Sequence, residues 1–181
     1  MRKRIEYALE KRMDDAIITL ALAFNQSGKN KKPVLLHSIG VGMLLFEYGH
    51  DFDVVISGIL HDILEDTEYS ENELISEYGE AIAGIVKAVS FDKTITDKRK
   101  QNEDMFKRCH AAGKNALLVK CADLINNMPY TAFVDDSNDK LKQELVTKYS
   151  SFFRYAGAIK DEPIFQEYTA KFHQFFDDYA E

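Results

Sequence analysis

The chain has 181 residues, 45% hydrophobic and 29% charged, with nine Gly and three Pro, a profile that suits one folded domain with a sizeable core and excludes disordered, collagen-like and disulfide-miniprotein classes. Its net charge of −7 argues against a nucleic-acid polymer or an anionic membrane as partner, since both need an attractive positive field; a small solute is expected instead. Cys109 and Cys121 lack CxxC spacing and are expected as free thiols in a reducing, cytoplasmic setting.

In chain order, a helix is predicted over residues 4–25. Its apolar run, residues 16–24, is far shorter than the ~20 residues that span a bilayer, and Glu6, Glu10, Asp14 and Asp15 are out of place in a signal peptide. A polar loop over 26–32 carries Lys29, Lys31 and Lys32, and Pro33 then sits in the first turn of a second helix that stops at Gly49. A third helix is predicted over 53–66, and Ser70 with Glu73 makes a capping box for a short fourth that ends near Gly79. Further helices follow over 80–89, 97–112 and 115–128, the last stopped by Pro129 and followed by an exposed connection. An eighth over 138–158 places Leu141, Leu145, Tyr149, Phe152 and Ala156 on one stripe. The ninth, after Pro163, does the same with Phe165, Tyr168, Phe172, Phe175 and Tyr179. Both stripes are expected in the core. With no convincing strand alternation and no internal repeat, the expected architecture is all-α: a single helical bundle of about eight to nine helices over residues 1–181, with a motif core near 17–128 and C-terminal packing helices near 138–180.

Three of these helices carry polar residues where apolar ones are expected. In the third, Ile56, Ile59, Leu60, Ile63 and Leu64 share one face, while His61, Asp62, Glu65 and Asp66 share the other, with Gly58 among them. A mid-helix glycine costs about 1 kcal/mol relative to alanine, so a ligand or a crossing helix is expected close by. The seventh helix is apolar around most of its circumference except for a stripe of Lys120, Asp123 and Asn127. A carboxylate in the interior needs a cation, and Asp123 is placed to need one. The second helix is apolar on nearly every side yet holds His37. Two imidazoles and two carboxylates on three central helices, His37, His61, Asp62 and Asp123, form a mixed N/O donor set suited to one divalent transition metal ion.

These residues carry a family resemblance. The series His37, His61-Asp62, Asp123 resembles the HD superfamily of metal-dependent phosphohydrolases. His61-Asp62-Ile63-Leu64-Glu65-Asp66-Thr67, with Lys120-Cys121-Ala122-Asp123 and Asn127, is similar to the HDxxEDT and KxADxxxN motifs of guanosine tetra/pentaphosphate hydrolases. The resemblance implies an HD-type fold and a nucleotide substrate. It also implies manganese as the favoured ion, with iron, zinc and magnesium as rivals. It gives Glu65 and Asp66 the task of activating or orienting the nucleophile and places Asn127 against the nucleotide. The spacing agrees for the two acids, since each lies one helical turn beyond a ligand and can face a water on the ion. The resemblance further implies a basic residue holding the guanine, for which Lys29 is the nearest equivalent, with Lys32 beside it. Ser38, Leu124 and Asn126 stand where the family usually has proline, arginine and histidine, and Pro129 and Tyr130 alter the segment near the 5′ phosphates; none of these is a ligand.

The expected activity is removal of the 3′ pyrophosphate from guanosine tetra/pentaphosphate. The rival expectations are the same centre acting on a nucleoside monophosphate or dinucleotide, and a helical regulatory module without catalysis.

Overall fold

Residues 2–27, 33–133 and 139–176 are described by the computed structural model, and every regular element among them is helical. In order these are α1 (Arg2–Ser27), α2 (Val34–Glu47), α3 (Phe52–Leu60), α4 (Ile63–Asp66), α5 (Glu71–Tyr78), α6 (Glu80–Val89), α7 (Lys98–Ala112), α8 (Lys114–Asn127), α9 (Asp139–Phe152) and α10 (Pro163–Phe176), with 3₁₀ turns at Met128–Phe133 and Ala156–Ile159. The helix ends follow local chemistry. Ser70 and Glu73 form both hydrogen bonds of the capping box that starts α5. The Asp97 side chain accepts from the Lys100 N–H at the start of α7. Gly49 ends α2 at φ +73°, a conformation that glycine adopts at little cost.

The predicted third helix is not continuous in the structure. It breaks between Leu60 and Ile63, across His61 and Asp62. The His61 ring Nδ1–H donates to the Gly58 carbonyl at 2.8 Å, the acceptor that an uninterrupted helix would offer to the Asp62 N–H. Asp62 drifts to φ −93°, ψ −4°, the bridge region common in active sites. Helical bonding then resumes from the Asp62 carbonyl to the Asp66 N–H. The two polar residues of greatest interest therefore sit on a joint between helices.

α3 is buried from Val54 to Leu60 and α8 from Ala116 to Ile125. α3 packs on α1, α2, α6 and α8, and α8 on α2, α3, α6, α7 and α10. Gly58 owes its place to the crossing helix α2. A Cβ there would stand 2.5 Å from Leu45 Cδ1 and 3.3 Å from the Gly42 Cα, while a Cβ on Gly42 would stand 2.3 Å from Ile59 Cγ1. The paired glycines let the backbones of α2 and α3 close together, which brings His37 toward His61. Gly58→Ala is accordingly expected to overpack this crossing and destabilise the fold by about 1–3 kcal/mol, read as a lowered denaturant midpoint at an unchanged slope.

The C-terminal helices differ from expectation in two respects. α9 stops at Phe152, where three-residue hydrogen bonds such as Tyr155 N–H to Phe152 O tighten the chain into a turn. Of its predicted core stripe, Tyr149, Phe152 and Ala156 are buried, but Leu141 is exposed and Leu145 half-buried, because the first turns of α9 line a cavity instead of another helix. In α10, Tyr168 and Phe172 are buried as the periodicity predicts, whereas Phe165 and Phe175 of the same stripe are only half-buried. Phe152, Phe153, Phe165, Tyr168 and Phe172 form tilted and edge-on ring pairs with centroids 5.2–6.4 Å apart, and the Tyr168 hydroxyl donates to the Tyr149 carbonyl at 2.6 Å. Tyr179 and the predicted start of the eighth helix at 138 lie outside the described residues. Among the described residues, no helix is long and apolar enough to cross a membrane.

Candidate metal centre

His37 comes from the first turn of α2, His61 and Asp62 from the joint after α3, and Asp123 from the last turn but one of α8. The fold brings them together. The two Nε2 atoms of His37 and His61 lie 3.2 Å apart. Asp123 Oδ1 is 3.2 Å from the first and 3.6 Å from the second. Asp62 Oδ1 is 3.2 Å from His61 Nε2 and its Oδ2 3.9 Å from His37 Nε2. Ligating atoms of His37, His61 and Asp123 all fall within 4.8 Å of one another, a group able to hold a metal ion; Asp62 joins it from the His61 side.

Proton placement decides what this cluster can hold. The Gly58 carbonyl can only accept, so His61 carries its proton on Nδ1. His37 Nδ1–H donates to Asn126 Oδ1 at 2.8 Å. In neutral rings both Nε2 atoms are then bare lone pairs, and they face each other across 3.2 Å with carboxylate oxygens beside them. Four electron donors in contact repel unless a cation sits among them, so the donor set fits a divalent ion. Without the ion a proton must serve. Burial alone would push the His61 pKa down, but the Asp62 and Asp123 carboxylates outweigh it and raise it to about 9. A folded-state value above the ordinary 6.5 contributes stability that is complete below about pH 6.5 and is lost as pH rises through 9. Chelator-stripped protein is therefore expected to lose thermal stability between those limits, and protein saturated with a divalent ion to lose less, as followed by melting curves across that pH range.

Asp123 is held on its other side as well. Lys120 Nζ donates to Oδ2 at 2.8 Å, and the Asn127 amide donates to Oδ1 at 2.6 Å. Burial opposes the charge on both members of the Lys120–Asp123 pair, yet their mutual attraction keeps the Asp123 carboxyl well below its usual range and the ammonium above its own. Asn127 thus braces the carboxylate and lies 3.4 Å from His37 Nε2.

Beside the cluster is a cavity of about 340 Å³, within the ~300–1,000 Å³ typical of small-molecule sites. His37, Asp62, Asp123 and Asn127 line it, together with Glu65 and Asp66. Glu65 Oε1 accepts the Phe91 N–H at 2.7 Å. Burial, opposed by the nearby Lys120 charge, moves the Glu65 carboxyl above its usual range. Arg108 keeps Phe91 in place by donating to the carbonyls of Lys87, Ala88 and Ser90 at 2.6–3.2 Å, which ties off the end of α6.

All six predicted ligands and acids converge here, together with Asn127. Lys29 and Lys32 lie outside the described residues. The periodicity of α9 pointed to core and so missed Leu141, Leu145 and Lys148 as residues that line the cavity with Tyr130 and Tyr149. Lys148, three residues beyond Leu145 on that stripe, was the available signal. Asn126, legible only as a departure from the family pattern, is the hydrogen-bond partner of His37.

Comparison with known proteins agrees with this architecture. The chain is similar to the guanosine-3′,5′-bis(diphosphate) 3′-pyrophosphohydrolase of Aquifex aeolicus, 29% identical over 142 residues that make up 76% of this chain and 20% of that protein. It is 33% identical over 108 residues to the guanosine-3′,5′-bis(diphosphate) 3′-pyrophosphohydrolase MESH1 of Danio rerio, which is 58% of this chain and 59% of that protein. The chain thus spans about a fifth of the first relative and three-fifths of the second. A solved structure described as a metazoan ortholog of SpoT that hydrolyses ppGpp shares the fold, with a TM-score of 0.69 at 19% identity over 90% of this chain and 94% of that one. The HD domain model matches residues 16–157, a span that holds every residue of the cluster, and the chain belongs to the HD domain family.

Proposed function

We propose that this chain is a cytoplasmic, metal-dependent phosphohydrolase that removes the 3′ pyrophosphate of guanosine tetra- or pentaphosphate, leaving guanosine 5′-diphosphate or 5′-triphosphate and pyrophosphate. The observation that carries this reading is the set of inward lone pairs of His37, His61, Asp62 and Asp123 beside a cavity whose wall carries two further acids. The names of the relatives support the choice of substrate.

His37, His61, Asp62 and Asp123 would hold the ion. Manganese is the favoured element, and iron, zinc and magnesium are the rivals. A divalent ion bound there supplies a water of lowered pKa and a counter-charge for the phosphoryl oxygens. Glu65, its carboxyl raised above its usual range by burial, is suited to accept a proton from the attacking water and return it to the departing 3′ oxygen. Asp66 orients the water from the same wall. Asn127 keeps Asp123 directed at the centre and contacts the nucleotide beside it, while Lys120 balances the carboxylates from behind. Lys29 and Lys32 are assigned to the base and its phosphates.

The test is pyrophosphate release from guanosine tetraphosphate by purified protein with manganese, run against a panel of nucleoside monophosphates and dinucleotides. Release confined to the alarmone is expected. Turnover of a panel nucleotide with none of the alarmone would keep the centre and overturn the substrate.

A further inference from the structure

We infer that Asn126 is a positioning residue of the metal centre: by accepting the His37 Nδ1–H it holds the opposite nitrogen of that ring as a lone pair aimed at the ion. The inference rests on the proposed divalent-ion reading of the cluster. The bond is 2.8 Å long and joins α8 to α2 across 89 residues of sequence, so it fixes the ring by tertiary packing. Asn126 thereby holds the Nδ1 edge of the ring, while its Nε2 edge faces His61, Asp123 and Asn127.

The surroundings are shaped to admit the amide. A Cβ on Gly40 would stand 2.7 Å from Asn126 Nδ2, so α2 is bare where the side chain of α8 reaches it. An amide oxygen can only accept, whereas a neutral histidine at this position would accept in one tautomer and donate in the other. Turning the amide over would present Nδ2 to His37 Nδ1, move the ring proton to Nε2 and direct N–H at the cation. In the orientation observed, with Oδ1 toward His37 Nδ1, the asparagine supports the ligating tautomer with a smaller group than an imidazole. Such partners behind metal-bound histidines are generally worth about 10–100-fold in metal affinity.

The experiment measures Mn²⁺ affinity of the full chain by competition with a chelator, with circular dichroism as the control for folding. Asn126→Leu keeps the branched heavy-atom skeleton but is bulkier and has no acceptor, and the 210 Å³ cavity that Asn126 borders gives the side chain room; it is expected to weaken Mn²⁺ binding about 10–100-fold. Asn126→Asp keeps an acceptor and is expected to bind at least as tightly as wild type. Gly40→Ala removes no polar group but displaces the amide, so it is expected to weaken binding alone and to add little in the double variant with Asn126→Leu. Wild-type affinity in Asn126→Leu, or independent losses that add in the double variant, would overturn the inference while leaving the centre intact. Failure of the wild-type chain to bind Mn²⁺, Fe²⁺ or Zn²⁺ would overturn both.

Discussion

Asp123→Ala is expected to emerge from purification without a divalent ion and to unfold about 3–5 kcal/mol more easily than wild type, because the change strikes the metal cage and the core together. Oδ1 of Asp123 faces the two imidazoles, and Oδ2 takes the Lys120 ammonium at 2.8 Å. Both side chains are at least nine-tenths buried. Removing one member of such a pair leaves the other charge desolvated and unmatched, which is where the 3–5 kcal/mol arises. The two consequences can be separated. Lys120→Met combined with Asp123→Leu exchanges the pair for apolar groups, and such exchanges are often neutral or stabilising. The double variant should therefore recover much of the stability while still retaining no ion. Metal content by elemental analysis, read beside denaturant unfolding, distinguishes the outcomes. A stably folded Asp123→Ala protein with a full complement of metal would remove Asp123 from the ligand set.

The second large effect is expected from Glu65→Gln, which should keep the ion and the fold but lower kcat by about 10²–10⁴-fold. A glutamine retains the oxygen that accepts the Phe91 N–H at 2.7 Å, so the loop anchored by Arg108 stays in place. What it loses is the capacity to take up a proton. The acid limb that Glu65 contributes to the wild-type kcat profile should therefore vanish in the variant. Asp66→Asn is the companion measurement. Wild-type kcat in Glu65→Gln with a large loss in Asp66→Asn would transfer the proton-handling role to Asp66.

Much of this molecule is legible in its sequence because the relevant chemistry is local. The spacing of apolar residues three and four apart marks the helices. Ser70 with Glu73, Asp97, and the glycines at 49, 79 and 113 mark several of their ends through interactions that span only a few residues. The donor set was legible for a related reason. His37 and Asp123 stand on helices that are apolar around most of their circumference, and a carboxylate in such a place needs a cation.

Other features depend on which residues meet across long separations, and periodicity carries no record of that. Leu141 and Leu145 obey the same rule as Phe152, yet line a cavity because of what lies opposite the first turns of α9. The joint at His61 and Asp62 exists because a ring nitrogen competes for the Gly58 carbonyl, a contest a helical wheel does not represent. Gly58 could have served a ligand or a helix, and only the crossing of α2 decides between them. Asn126 reads in sequence as the loss of a histidine; packed against Gly40 and His37 it becomes the group that sets a tautomer. The sequence by itself thus determined the helical segments and the donor set of the candidate centre, since both follow from side chains and their near neighbours. Tertiary structure alone decided the protonation geometry, the bracing of the ligands and the walls of the cavity, because those depend on contacts between segments that the chain order keeps far apart.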